Sequence, residues 1–272
     1  MDKRKQIPEQ RKTGSKKKAK KTGLKLSVEL VAVIGIVAVI VMMLISGKAL
    51  SSEDLREGVS YIKALEAKST AEVENRIKEI EKAERKAAFE RGEIEVWSQF
   101  NDSVIMGDSR AVGFYFYEFV ETSRVLAEGG ATIRDIPNYL DTVALLNPSS
   151  IFLCYGLNDI SIGYWNTVEE YIAELDQVVE SLRTAAPNAV IYVNSTIPAT
   201  DPAFQTAEIW RNIPDWNVVI KQHCQEKGIA YVDINATVEA HVDLYDPDGI
   251  HMRKEFYEYW AIDMITEVYE NE

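Results

Sequence analysis

Cysteine is almost missing from this chain, with two residues in 272. Cys154 stands in an apolar run and Cys224 in a helical stretch, with no C-x-x-C or metal-ligand spacing around either. That excludes a disulfide framework and leaves two unpaired, buried thiols as the expectation. Histidine is also scarce, at three residues. None sits in an H-E-x-x-H or a clustered His/Cys pattern, so no metal is implied. His223 lies in a helical stretch and His241 in a loop approach, as ordinary surface or packing residues. G-x-G-x-x-G and G-x-x-x-x-G-K-[ST] are both absent, which removes the anchors of dinucleotide and nucleotide-triphosphate sites; no cofactor is implied.

What is present is distributed unevenly. The formal charge is −13, yet residues 1–25 hold 11 Lys/Arg against two acids, a net of +9 that leaves −22 for the remainder. This basic tail directly precedes the apolar run "LSVELVAVIGIVAVIVMMLIS" at 26–46, in which Glu29 is the only ionisable group. At about 1.5 Å per residue, 20 such residues match the roughly 30 Å core of a bilayer. Flanking cations keep their side in the cytoplasm, so a single-pass membrane anchor with the bulk of the chain outside is expected, and nucleic-acid binding by the tail is not. Gly47-Lys48-Ala49 would suit signal cleavage, but the run exceeds a usual signal core, which favours an uncleaved anchor. Residues 47–93 then read as a charged helical stalk, free of proline between 51 and 92. Leu55, Val59 and Ile62, then Val73, Ile77 and Ile80, recur at helical steps, a stripe suited to self-association; the stretch 66–70 interrupts it.

From residue 94 short apolar runs alternate with amphipathic stretches. Strands are expected at 103–106, 124–127, 151–155, 189–194 and 229–233, and helices at 110–122, 136–146, 168–185, 214–227 and 254–270. Such alternation implies a parallel sheet covered on both faces. The near-continuous hydrophobicity of "SIFLCYG" and "NAVIYVNS" fits strands buried on both sides. Sites in these sheets form at the carboxyl ends of the strands.

Two strand ends and one late loop carry polar groups: Gly107-Asp108-Ser109, "YGLNDI" with Asn158 and Asp159, and, just before the last expected helix, "DPDGIHM" with Asp248 three residues before His251. Ester hydrolysis through a serine needs a hydroxyl, a base, an acid orienting that base, and donors aimed at the oxyanion. The three segments together contain all of these. Alone, Ser109 would read as a helix N-cap, and Asp108 as a structural acid bonding turn amides.

The GDS, GxND and DGxH segments, in this order, resemble the SGNH/GDSL hydrolase family over residues 96–272. The resemblance implies a three-layer α/β/α sandwich on a parallel sheet of about five strands, occupying 94–272. It implies Ser109 as nucleophile, His251 as general base, Asp248 orienting His251, and an oxyanion hole from the Ser109 N–H, Asn158 and a glycine N–H. Gly129 and Gly130 both fit the last role, and Gly130 is chosen as nearer Thr132. Arg110 departs from the leucine of the family motif and bears on substrate contact or local packing rather than on the chemistry; with Tyr164 and Trp165 it is carried as a substrate-contact candidate. The G-x-S-x-G elbow of the α/β-hydrolases is absent, since Ala111 stands where its second glycine would be.

Tyr164, Trp165, Trp210 and Trp216 are rings suited to stacking on sugar faces or to packing. An anchored enzyme of this family outside the membrane, with these rings, is expected to act on O-acetyl groups of cell-surface polysaccharide or peptidoglycan, and the lack of a long apolar groove in the sequence disfavours a long-chain lipase. An O-acyltransferase passing the acyl group to an envelope glycan, and an anchored non-catalytic binding or assembly domain, are the alternatives.

Overall fold

The computed structural model describes residues 28–45 and 52–271. The basic tail 1–25, the ends of the apolar run and the Gly47-Lys48-Ala49 motif lie outside the described residues. The chain divides into two compact units after Ala71. In the first, helix α1 (Val28–Ile45) has 18 residues. Among the described residues no helix is long and apolar enough to cross a membrane. The described part of the run measures about 27 Å, against a core of about 30 Å.

Helix α2 (Ser52–Glu90) follows. Leu55 and Val59 in the first unit, and Val73, Ile77 and Ile80 in the second, are exposed. Its last turns differ. Lys82 pairs with Glu267 (3.3 Å) and Glu270 (2.7 Å), and Lys86 with Asp263 (2.5 Å). The Arg85 guanidinium lies 4.3 Å from the Tyr269 ring centre. Phe89, only 2% exposed, joins the core of the second unit, five residues before the expected start of the domain.

That unit is built on five parallel strands: β1 (Ser103–Gly107), β2 (Val125–Ala127), β3 (Ser150–Cys154), β4 (Val190–Asn194) and β5 (Ala230–Val232). Their order across the sheet is β2-β1-β3-β4-β5. Each expected strand is present to within one residue at either end. Successive side chains feed opposite faces, as the strand pleat requires. Val104, Met106, Ile151, Leu153, Ile191 and Val193 enter one core; Ile105, Phe152, Cys154 and Tyr192 enter the other. Helices α4 (Leu140–Leu146), α6 (Val168–Ala185) and α7 (Ile213–Lys227) supply the first core. Helices α3 (Ser109–Phe116), α8 (Asn235–Ala240) and α9 (Phe256–Asn271) supply the second. This is the expected three-layer α/β/α sandwich.

Two expected helices are shorter than their sequence pattern. The one expected at 110–122 stops at Phe116, because Glu118 turns to φ +62°. The reversal sends Phe119 onto Trp97, stacked at 4.3 Å and 3°. The one expected at 136–146 is α-helical only over α4; around Pro137 the chain runs as a 3₁₀ turn, Ile133–Tyr139. A proline supplies no N–H to an α-helical ladder.

Candidate active site

In a sheet ordered 2-1-3-4-5 the connections leave β1 and β3 toward opposite faces. The crevice beyond their carboxyl ends is where such folds bind ligands. Both strands end there in a motif singled out above. Gly107 closes β1, and a Cβ on it would come within 2.5 Å of Ala111 Cβ and 2.6 Å of the Cys154 carbonyl oxygen. Only glycine lets α3 and β3 pack so closely against the strand. The next residue, Asp108, caps α3 by accepting the Arg110 N–H (2.9 Å). Ser109 opens the helix, where an N–H has no partner within the helix.

The loop after α8 carries the other half of the site. Tyr245 and Met252 form an antiparallel bridge, and the Asp246 N–H donates to the His251 carbonyl (2.8 Å). Between them Asp248 Oδ1 accepts the N–H groups of Ile250 (2.9 Å) and His251 (3.0 Å), while Oδ2 lies 2.6 Å from His251 Nδ1. His251 Nε2 lies 2.9 Å from Ser109 Oγ. Partial burial opposes the charge on Asp248, but the His251 ring and the two N–H donors outweigh it and hold the carboxyl below its ordinary value. With Nδ1–H held by the carboxylate, Nε2 is left as the acceptor for the serine proton.

Asn158 lies in the first turn of α5 (Leu157–Ile162), directly after β3. Its Nδ2 donates one hydrogen to the Ala131 carbonyl (3.1 Å), and the amide has a second to give. Ala131 closes a turn back to Glu128 (3.2 Å). Gly130 sits inside that turn at φ +82°, the left-handed value a type II turn requires of its third residue. Asp159 joins the two arms: its carboxylate accepts the N–H of Gly156 (2.8 Å) and of Ile133 (2.9 Å). Burial pushes this carboxyl up to about 7, although both donors favour its charged form. The only sign of this role in the sequence is an acid one residue after Asn158.

Two residues assigned to substrate contact are elsewhere. Arg110 is 2% exposed, its guanidinium paired with Asp108 (3.0 Å). Trp165 is 6% exposed, packed on Tyr171 and donating Nε1–H to Glu174 (2.8 Å). Neither offers a surface to a ligand, because apolar packing and an ion pair already occupy them. Tyr164 is 48% exposed, with the Arg134 guanidinium 4.5 Å from its ring centre. His223 pairs with Asp176 (2.7 Å), and His241 stacks on Tyr259 (3.8 Å). Cys154 and Cys224 are free and buried. Among the described residues no three His, Cys, Asp or Glu side chains gather to hold a metal.

The family model for GDSL-like lipases and acylhydrolases matches residues 106–259, more than half of the chain. The chain belongs to the GDSL-like lipase/acylhydrolase family. Solved structures with the same fold include a GDSL-like lipase from Bacteroides thetaiotaomicron VPI-5482, at 15% identity and a TM-score of 0.52, covering 69% of this chain and all of that one. The lipase/acylhydrolase from Enterococcus faecalis matches at 16% identity and a TM-score of 0.50, over 62% of this chain and 96% of that one. No curated protein is similar enough to count as a relative. This GDSL-family chain is an esterase-like acylhydrolase by its family.

Proposed function

We propose that the protein is a serine esterase, anchored in the cell membrane by residues 26–46 with its acylhydrolase domain outside, that removes O-acetyl groups from cell-surface carbohydrate. The observation that carries the chemistry is the unbroken chain Ser109 Oγ, His251 Nε2, His251 Nδ1, Asp248 Oδ2, at 2.9 and 2.6 Å. His251 takes the Ser109 proton as Oγ bonds to the acyl carbon, and Asp248 stabilises the imidazolium that forms. The Ser109 and Gly130 N–H groups and the free Asn158 amide hydrogen receive the oxyanion, each such donor lowering the barrier by about 2.7–4 kcal/mol. The imidazolium then gives its proton to the departing alkoxide, leaving acyl-Ser109. Water, deprotonated by His251, attacks the acyl carbon, and the acid leaves as Oγ recovers its proton.

The basic tail supports the orientation of the anchor, and the exposed Tyr164 ring is of a kind that stacks on a sugar face. The test treats the full chain with a fluorophosphonate beside Ser109→Ala and His251→Ala variants, maps the adduct by mass spectrometry, and assays acetate release from an O-acetylated polysaccharide. An adduct on Ser109 that needs His251, together with acetate release, is expected. An unlabelled wild type that is well folded would overturn the reading. Acetyl groups appearing on an added acceptor glycan instead would reassign the second step to O-acyl transfer.

A further inference from the structure

Ser109 and His251 are 142 residues apart and ride on different elements, yet their side chains meet at 2.9 Å. A third segment, 197–200, touches the carriers of both. On the serine side, the Arg110 guanidinium uses Nε and Nη2 on the two oxygens of Asp108 (3.2 and 3.0 Å) and Nη1 on the Ile197 carbonyl (2.9 Å). On the histidine side, Tyr245 Oη donates to the next carbonyl, that of Pro198 (2.5 Å), and Tyr245 opens the bridge that closes the His251 loop. Two residues on, the Thr200 N–H donates to the Gly249 carbonyl (2.9 Å). Behind Arg110, Tyr257 Oη donates to its carbonyl (2.7 Å).

Burying a guanidinium is costly, and packing alone asks only for an apolar side chain at this position. What the fork adds is direction: a planar group that grips one carboxylate with two donors and still reaches a carbonyl on another segment. We infer that Arg110 is a positioning residue that, through the 197–200 segment, holds the Ser109 turn in register with the loop carrying Asp248 and His251. Substrate never meets it.

The inference rests on the serine reading above, and the experiment separates the two. Wild type, Arg110→Lys, Tyr245→Phe and the double variant, each in the full chain, are compared by fluorophosphonate labelling rate at Ser109, by kcat and KM for p-nitrophenyl acetate, and by Tm. Lysine keeps the charge opposite Asp108 but offers no fork that also reaches Ile197. Labelling rate and kcat should fall together by about 10- to 100-fold, as for a displaced catalytic group, at nearly constant KM. Tyr245→Phe acts on the same segment, so the double variant should be scarcely slower than Arg110→Lys. A lowered Tm with an unchanged labelling rate, or two rate losses that simply multiply, would show a structural role alone and overturn the inference. If Arg110→Lys does not fold, Tyr245→Phe decides by itself, since an unchanged kcat there breaks the link. A wild type without any adduct at Ser109 would sink the serine reading first.

Discussion

The two halves of the Ser109–His251–Asp248 chain are held by different physics. The serine side is built into the interior. Gly107 is pressed between α3 and β3, and Asp108 and Arg110 neutralise each other almost out of reach of water. The histidine side is local and wet: the His251 and Asp248 side chains are 41% and 46% exposed, and one short turn makes their contact. An exposed pair of this kind is screened and adds little to stability. A buried pair broken on one side leaves an uncompensated charge. Folding free energy and catalytic function are therefore intertwined at one end of the site and separable at the other.

The contrast is most exposed to failure at its extremes. His251→Ala should lower turnover by about 10⁴- to 10⁶-fold, as loss of a triad base does, while urea unfolding moves by no more than about 0.5 kcal/mol. A large loss of stability would show that the loop is as integral as the interior. Asp108→Ala should act in the opposite sense. It strands the Arg110 guanidinium and should cost about 3–5 kcal/mol in urea unfolding, with activity falling as a consequence. A stable, inactive Asp108→Ala protein would erase the distinction.

The smallest effect is in the pH dependence, where the wet histidine side and the buried Asp159 arm should slope in opposite directions. Asp248 is held below its ordinary value, so its contribution is present above about pH 4 and is lost as pH falls through the native value. Asp159, on the buried oxyanion arm, is raised to about 7. The native state then binds more protons than the unfolded chain between about pH 4 and 7, and this contribution is lost as pH rises across that interval. Unfolding titrations of Asp159→Asn should flatten the dependence between those values, and those of Asp248→Asn only below them. Identical curves for both variants would refute the assignment.

How much of this was legible without coordinates follows the range of the interactions. Strands buried on both faces announce themselves as apolar runs, and all five lie within a residue of expectation. The two polar motifs at strand ends and the DPDGIHM loop were legible because the resemblance rests on residue type and order along the chain. The short helices α5 and α8, at six residues each, were not, since so few positions hold no periodicity. The end of α3 was decided by Phe119 meeting Trp97 across the fold. Likewise nothing near Arg110 in sequence indicates that its guanidinium turns inward to the Ile197 carbonyl, or near Trp165 that the Arg134 guanidinium lies over its ring.

Sequence alone thus determined which chemistry-bearing residues stand at the strand ends, because apolar periodicity and local motifs act over a few residues. Tertiary structure alone decided which of them meet and which are buried holding other segments in place, because Ser109 reaches His251 across 142 residues and Arg110 reaches Ile197 across 87.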